Sequence, residues 1–582
     1  MSTRHFVNDP TKLVGDALHS LTLVNPHVAL DEEHKIIYRR PNDAPTQVSI
    51  LSGGGSGHEP SFAGMVGPGM LSAAVAGTIF ASPSATQVRA GITSRVDVDK
   101  GVLVVVMNYT GDVLSFGMAV EKARAAGIDA QMVVVGDDVG VGRAKGGKVG
   151  RRGIAGTVLV LKIAGALAAL GRSLDAVASA ARLAAENLVS VGASLDHVHV
   201  PGRAISTEDA LQDGEVEIGM GIHNEIGSGR DKIALSELVS RMLAQLLDQS
   251  DKDRAFVRFD SKQVVLLINN LGGVSILEMG AITTEVVTQL GSGYNIKPAR
   301  VLSGMFMTSL NGLGFSISLL NAVDTDGISM ISLLDAPSEV PGWAAPIQSV
   351  TWEARNTQVR AGSSQFDQRK KPSGQTMDAS TEKSALTTAL QRVIAAEAEV
   401  TKYDTVVGDG DCGIGLKRGA EAVLKHVQQA GVTGDILSDL ADIVSVVENN
   451  MDGTSGALYA IFLNALVHAL QSLESGALTR RKWAAALKKS CDALSKYTPA
   501  RPGDRTLIDA LYPFVEILEK TGSLKEAALA ARKAAIETQG MHASLGRSVY
   551  VGGTGFTKVP DPGAWGLSCF FLGLAGLEPT AE

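Results

Sequence analysis

Short apolar runs rich in β-branched residues recur through the first 335 residues: Val48–Leu51, Gly101–Met107, Gln131–Val135, Val264–Ile268 and Phe315–Leu320. Between several of them the apolar positions fall at helical spacing, as in Phe116–Ala126 and Thr157–Leu170. A strand that is apolar at every position has both faces covered, and strands alternating with helices supply that cover themselves. The expectation is a layered α/β fold in two subdomains, divided near residues 185–215. From about Thr381 the pattern changes. Ser384–Ala398, Ala457–Leu473, Arg480–Leu494 and Leu524–Thr538 are rich in alanine and leucine at helical spacing, with few strand candidates among them, which predicts an all-α domain. Between these regions Pro337, Pro341, Pro346, Gly362–Gln365 and Arg369–Gly374 break any hydrophobic period and read as a linker. The expected division is an α/β domain over 1–335, a linker over 336–380 and an all-helical domain over 381–582. A chain of 582 residues is in any case too long for one core.

Charge narrows the partners. A net charge of −8 gives no electrostatic reason to bind nucleic acid or an anionic membrane. The basic run Lys145–Arg152 is short and diluted by glycine, a weak candidate for a polyanion site. Three cysteines without CxxC or Cys/His spacing indicate neither a disulfide framework nor a structural zinc site. Met1–Phe6 lacks the apolar core of a secretory signal, and no uninterrupted apolar stretch reaches membrane-spanning length. The expected setting is cytoplasmic.

Two groups of segments carry chemistry. Gly53-Gly54-Gly55-Ser56-Gly57-His58-Glu59-Pro60 directly follows the apolar run that ends at Leu51. Glycines at a strand end let a ligand approach the backbone and leave amide groups free for its oxygens. No Gly-Lys-Ser/Thr closes the segment, so it is not a P-loop. Asn108-Tyr109-Thr110-Gly111-Asp112 follows the strand ending at Met107, at the edge where α/β sheets place ligands. Gly219-Met220-Gly221-Ile222-His223-Asn224-Glu225 sets a second histidine among glycines. Each segment alone could be an ordinary turn, and a lone histidine is more often structural. Together, His58, His223 and Asp112 favour acid–base or nucleophilic work on a small polar ligand.

In the last third, Asp404, Asp409 and Asp411 follow a D-x4-D-x-D spacing. Carboxylates this close repel unless a cation neutralises them, and hard oxygen ligands suit Mg2+. A solvated acidic loop is the alternative; an EF-hand has a different spacing and a terminal glutamate. Gly453-Thr454-Ser455-Gly456 precedes a helix, and Pro502-Gly503-Asp504-Arg505-Thr506 and Asp561-Pro562-Gly563-Ala564 follow later. Small hydroxyl and glycine residues at a helix start make an anion site.

These motifs, with Asn269-Asn270-Leu271-Gly272-Gly273 and in this order, resemble the fused two-domain ATP-dependent dihydroxyacetone kinases (glycerone kinase, triokinase) over nearly the whole chain. The resemblance implies an α/β substrate domain of two subdomains followed by a helical-barrel nucleotide domain. It implies that His223 holds the ketose as a covalent hemiaminal. His58 and Asp112 are then acid–base candidates, and Gly55, Ser56, Gly57, His58, the Met107 position and Asp112 line the substrate. By the same resemblance Asp404, Asp409 and Asp411 hold two Mg2+ ions bridging the ATP phosphates, with Gly410 and Cys412 between and after them. Thr454 and Ser455 contact phosphate, and Gly503, Arg505, Asp561, Pro562 and Gly563 border the nucleotide. The implied activity is ATP-dependent phosphorylation of dihydroxyacetone and D-glyceraldehyde by a homodimer. A FAD-AMP lyase forming cyclic FMN and a non-catalytic ketose-binding regulator are the alternatives.

Two positions depart from the family pattern. Met107 stands where many members carry lysine, and Asp452 stands where glycine precedes Gly453-Thr454-Ser455. A carboxylate some 4 Å from a phosphate charge costs about 1 kcal/mol in water and about 4 kcal/mol at intermediate dielectric.

Overall fold

A computed structural model describes residues 5–41, 45–204, 210–260, 263–360, 374–429, 431–451, 453–542, 545 and 557–578. The chain divides into two compact units, Met1–Val359 and Arg360–Glu582.

The first unit is built on two six-stranded sheets. The first sheet contains β1 (Val28–Asp31), β2 (Ile36–Arg39), β3 (Ser49–Ser56), β4 (Ala73–Ile79), β5 (Val102–Met107) and β6 (Ala130–Val135), in the order β1-β2-β4-β3-β5-β6. The pairs β4/β3, β3/β5 and β5/β6 are parallel. The second sheet contains β7 (Leu188–Ser194), β8 (Val216–Ile218), β9 (Gly229–Asp231), β10 (Val264–Asn270), β11 (Arg300–Gly304) and β12 (Gly314–Asn321), in the order β11-β10-β12-β7-β8-β9. Only β10/β11 is parallel there.

One core joins the two sheets. Along β5, Leu103, Val105 and Met107 point into it, while Val102, Val104 and Val106 enter a separate core on the other face. Along β10, Val265 and Leu267 share the same inner core, and Val264, Leu266 and Ile268 enter an outer one. The helix Thr157–Ala169 fills the space between, with all but its last residue buried. This explains why these strands read as continuously apolar: each side of the sheet is covered. The second sheet begins at Leu188, so residues 195–204 and 210–215 lie between β7 and β8 within that sheet and do not separate the subdomains.

Residues 336–345, read from the sequence as the start of the linker, pack on the first unit. Glu339 N–H donates to Pro68 O at 3.0 Å, Gly342 N–H to Gly64 O at 2.9 Å, and Trp343 meets Phe306 edge-on. The buried Lys162 ammonium ties down the preceding turn through Leu333 O at 2.9 Å and Ala336 O at 2.8 Å. Proline halts regular structure there, but an extended segment still finds backbone partners.

The second unit is helical: Ala379–Ala395, Glu397–Val407, Cys412–Gln429, Ile436–Asn450, Gly453–Gln471, Arg480–Leu494, Ile508–Thr521, Leu524–Glu537 and Pro562–Leu574, with Gln375–Thr376 bridged to Gly476–Ala477. The helices surround an apolar cavity of about 610 Å³, lined by residues such as Leu390, Leu416, Phe462, Leu511 and Phe571. Among the described residues, Gly453–Gln471 is long and apolar enough to cross a membrane by length and composition. Here it packs against Ile436–Asn450 and Arg480–Leu494 as a wall of this unit.

Candidate active site

In the first unit, the ends of two sheets bring the predicted residues together. His58 follows β3 and is fully buried; its Nδ1 lies 2.8 Å from Thr308 O. A carbonyl only accepts, so Nδ1 carries the proton and Nε2 presents a lone pair. His223 follows β8. Its Nδ1 lies 2.9 Å from Glu225 Oε1, and its Nε2 lies 3.0 Å from His58 Nε2. Burial, and next the neighbouring His223, pull His58 down to about 3. Phe80 stacks on His58 with ring centroids 5.2 Å apart, and Phe80 and Tyr109 both meet His223 edge-on, at 5.1 and 4.8 Å.

The segment Phe306–Leu310 clasps both histidine loops. Thr308 N–H donates to His58 O and Leu310 N–H to Gly57 O, while Thr308 Oγ1 donates to Glu59 O and Ser309 Oγ to Ile222 O. Asn269, in the Asn-Asn-Leu-Gly-Gly motif, holds this segment in turn. Its side-chain oxygen accepts from Phe306 N–H and Met307 N–H, and its amide donates to Met307 O. Gly57 adopts φ +104°, and a Cβ there would approach Phe80 Cε1 to 2.8 Å, so glycine is required for the histidine loop to lie against its aromatic wall.

Asp112 sits in the first turn of the helix Thr110–Ala125, which starts just beyond β5. It lies against the glycine segment: a Cβ on Gly54 would stand 3.5 Å from Asp112 Oδ2. Burial raises its pKa, opposed by Ser82 and His223, and its Oδ1 is buried without a hydrogen-bond partner. Such an oxygen suits a ligand hydroxyl. Gly55 and Ser56 stay with the β3 end, where Ser56 Oγ donates to Gly77 O. Met107 is 1% exposed within the shared core, with its Cβ and Cγ packed over Gly153. It presents no polar group to the site.

Three cations of the basic run have partners within the protein. Arg151 packs over Phe256 and donates to Leu188 O, Arg152 pairs with Asp138, and Lys145 donates to Ile226 O. Arg151, Arg152 and Lys145 are thus engaged by the protein, which weakens the case for a polyanion site there. Glu225, Arg152, Tyr109, Phe80, Thr308 and Ser309 received no role from the sequence. Glu225 stood in the quoted motif, two residues after His223, and that proximity was the available signal.

In the second unit, carboxylate oxygens of Asp404, Asp409 and Asp411 come within 4.8 Å of one another. Asp404 sits in the last turn of the helix Glu397–Val407 and is buried; its Oδ2 accepts from Cys412 N–H, which opens the next helix, at 3.0 Å. Asp409 and Asp411 are exposed. One anchored and two outward carboxylates on a glycine turn fit a hexacoordinate hard cation such as Mg2+. Burial, then Asp404, Asp561 and Asp411, push the Cys412 thiol up to about 12, so the Asp-Pro-Gly segment lies near this turn. Thr454 and Ser455 occupy the first turn of Gly453–Gln471, while Asp452 lies outside the described residues.

The Pro502–Thr506 and Asp561–Ala564 segments adjoin. A Cβ on Gly563 would stand 3.5 Å from Leu507 Cβ. Gly503 N–H and Thr506 N–H donate to Asp509, and Asp561 caps the helix Pro562–Leu574 through Ala564 N–H at 2.8 Å. Arg505 is 1% exposed and donates through Nη2 to Val559 O, but its Nε and Nη1 are buried without partners. Burial raises Asp561 to about 7 against the opposing pull of Arg505. An under-satisfied guanidinium suits an anionic oxygen.

A Dak1 domain matches residues 19–342 and a DAK2 domain residues 406–576. A protein named dihydroxyacetone kinase from Komagataella pastoris is 43% identical over 602 residues, covering 99% of this chain and 98% of that one. The chain belongs to the dihydroxyacetone kinase family. A member named triokinase/FMN cyclase from Homo sapiens is 36% identical over 580 residues, with 97% of each chain covered. The solved dihydroxyacetone kinase of C. freundii, in complex with AMP-PNP and Mg2+, covers 99% of this chain and is itself covered fully, at 30% identity and a TM-score of 0.69. The dihydroxyacetone kinase architecture, α/β sheets followed by a helical domain, is thus the one found here.

Proposed function

We propose that this protein transfers the γ-phosphoryl group of Mg-ATP to the primary hydroxyl of dihydroxyacetone, and of D-glyceraldehyde, while His223 holds the triose as a hemiaminal. The enzyme is an ATP- and Mg2+-dependent dihydroxyacetone kinase. The observation that carries the covalent reading is the approach of His223 Nε2 to His58 Nε2, 3.0 Å apart between Phe80 and Tyr109. An imidazole nitrogen adds to a carbonyl but finds no electrophile in glycerol, so capture separates trioses from a polyol of similar shape. His58 exchanges a proton with the carbonyl oxygen as the bond forms. Asp112, its pKa raised by burial, accepts the proton of the hydroxyl that receives phosphate.

Asp404, Asp409 and Asp411 would hold Mg2+, which when bound neutralises charge on the nucleotide phosphates. Arg505 and the amides at Thr454 and Ser455 would orient phosphate oxygens. The proposal includes a homodimer in the cytoplasm, which light scattering on the purified protein checks for mass. Native mass spectrometry of the wild type and His223→Ala with dihydroxyacetone tests the capture. The wild type should gain one triose that survives desalting, and the variant should not. A wild-type crystal complex with the ketose seated non-covalently away from His223 overturns it.

Relatives in Homo sapiens and Bos taurus carry FMN cyclase in their names, which supports a second reading on the same nucleotide unit. Incubation with FAD and Mn2+ should then yield cyclic FMN.

A further inference from the structure

The nitrogen of His223 that is free to react is decided outside the substrate site. Glu225 reaches back to its own loop: Oε1 lies 2.9 Å from His223 Nδ1, and Oε2 accepts His223 N–H at 3.0 Å. Arg152 Nη1 stands 3.9 Å from Glu225 Oε2. Arg152 is fixed by charge-assisted bonds from Nε and Nη2 to the buried Asp138 Oδ2, at 2.9 and 2.6 Å, and by Nη2 to Gly219 O at 2.8 Å. Lys145 holds the far end of the same loop through Ile226 O. Gly221 leaves room for this arrangement, since a Cβ there would overlap both Glu225 Oε2 and Arg152 Nη1.

We propose that Glu225, held by Arg152, is the positioning residue that selects Nε2 of His223 as the nucleophile and compensates the charge formed when it reacts. This rests on the hemiaminal reading above. Glu225 is ionised: burial alone would raise its pKa, but the hydrogen bonds and charges of His223 and Arg152 outweigh it and bring it to about 2. An ionised carboxylate only accepts, so Nδ1 of His223 carries a proton and the lone pair is on Nε2. His58 Nε2 presents a lone pair as well, because its Nδ1 donates to Thr308 O. The 3.0 Å contact between the two Nε2 atoms is therefore bonding when one proton lies between them.

The addition takes up one proton. As Nε2 of His223 bonds to the carbonyl carbon, the π pair moves to oxygen, which takes a proton from solvent passed on through His58 Nε2 and becomes the carbinol hydroxyl. The imidazole ring is left with a positive charge, and its Nδ1–H points at the Glu225 carboxylate. Breakdown reverses each movement and returns the proton to solvent. Neutralising Glu225 thus weakens the adduct, while removing its oxygens also frees the tautomer.

The test uses the full chain with histidine labelled in 15N, as the wild type and as Glu225→Gln, Glu225→Leu, Glu225→Asp and Gly221→Ala. In ketose-free wild type, His223 should be protonated at Nδ1. Glu225→Leu and Gly221→Ala should lose that preference, and Glu225→Gln should retain it. Rates of dihydroxyacetone capture should fall about 10- to 100-fold in Glu225→Leu and Gly221→Ala, the size of effect seen when a metal-ligating imidazole loses the carboxylate that orients it. The fall should be smaller in Glu225→Asp. Mg-ATP binding in the same samples reports whether the variants are folded. Gly221→Ala keeps every charge, so its loss of capture cannot be ascribed to a deleted carboxylate. A Glu225→Leu variant with wild-type capture rate and wild-type His223 tautomer overturns the proposal. If instead the wild type forms no adduct, the hemiaminal reading fails, and the ketose-free 15N spectra still decide the role of Glu225 separately.

Discussion

His58 and His223, 165 positions apart in the chain, face each other Nε2 to Nε2 at 3.0 Å, with the Nδ1 of each already committed to an oxygen. The pair spans the two sheets of the first unit, one histidine after β3 and the other after β8. Its geometry depends on the clasp of Phe306–Leu310, which bonds to both loops.

The buried His58 should make the first unit sensitive to mild acid. Its folded-state pKa, about 3, lies below the ordinary 6.5 because of burial and His223. The unfolded chain therefore binds more protons between those values, so this contribution to stability is complete above about pH 6.5 and is lost as pH falls toward 3. From pH 6.5 to 5 the loss is about 2 kcal/mol. Urea denaturation at the two pH values should show this slope for the first unit, and His58→Asn should flatten it.

Asp112→Asn should leave triose capture in place and lower turnover by about 10²- to 10⁴-fold, the range for losing a general base. Burial raises the folded pKa of Asp112. The basic form is then lost at a higher pH than for an exposed carboxylate, and the acid limb of the pH–rate profile should lie above the ordinary carboxylate range. That limb should vanish in the variant. A steady-state profile with saturating Mg-ATP checks both points.

The parts of this organisation visible in the sequence are those with a local pattern. Val102–Met107 and Val264–Asn270 were legible because both faces of each strand are buried, and Arg480–Leu494 because its helical period is uninterrupted. Ala73–Ile79 was not, since alanine, glycine and threonine interrupt its apolar run. His58, His223 and Asp112 stand among glycines that mark a ligand loop, and the structure brings His58 and His223 into contact. Thr308 and Ser309 lie between Gly304 and Gly312, but carry neither a ring nor a carboxylate to single them out. Their role arises from pairing with loops some 250 and 87 positions away, a long-range relationship that no local period encodes.

Asn269 supports that clasp from below. Its side chain makes three hydrogen bonds to the backbone of Phe306 and Met307 and is fully buried. Asn269→Leu should strand those backbone groups, each at a cost of about 1–3 kcal/mol. The first unit should lose stability by denaturation, and the Michaelis constant for dihydroxyacetone should rise as the histidine loops loosen. Mg-ATP affinity should be unchanged.

The carboxylate triad of the second unit separates a structural from a functional loss. Asp404 is buried and caps Cys412 N–H at 3.0 Å, so Asp404→Ala removes a helix cap as well as a metal ligand. Losing such a cap costs about 1 kcal/mol. Asp409 is exposed on the glycine turn, and Asp409→Ala should change stability by no more than about 0.5 kcal/mol. Both variants should lose phosphoryl transfer, because two carboxylates cannot hold the cation as three do. Thermal melting of the second unit should fall in Asp404→Ala only, while Mg2+ titration followed by calorimetry should weaken in both. Triose capture by His223, on the other unit, should persist in each. Wild-type turnover in Asp409→Ala would remove the triad from the reaction, and loss of capture in either variant would mean that the two units do not act as separable sites.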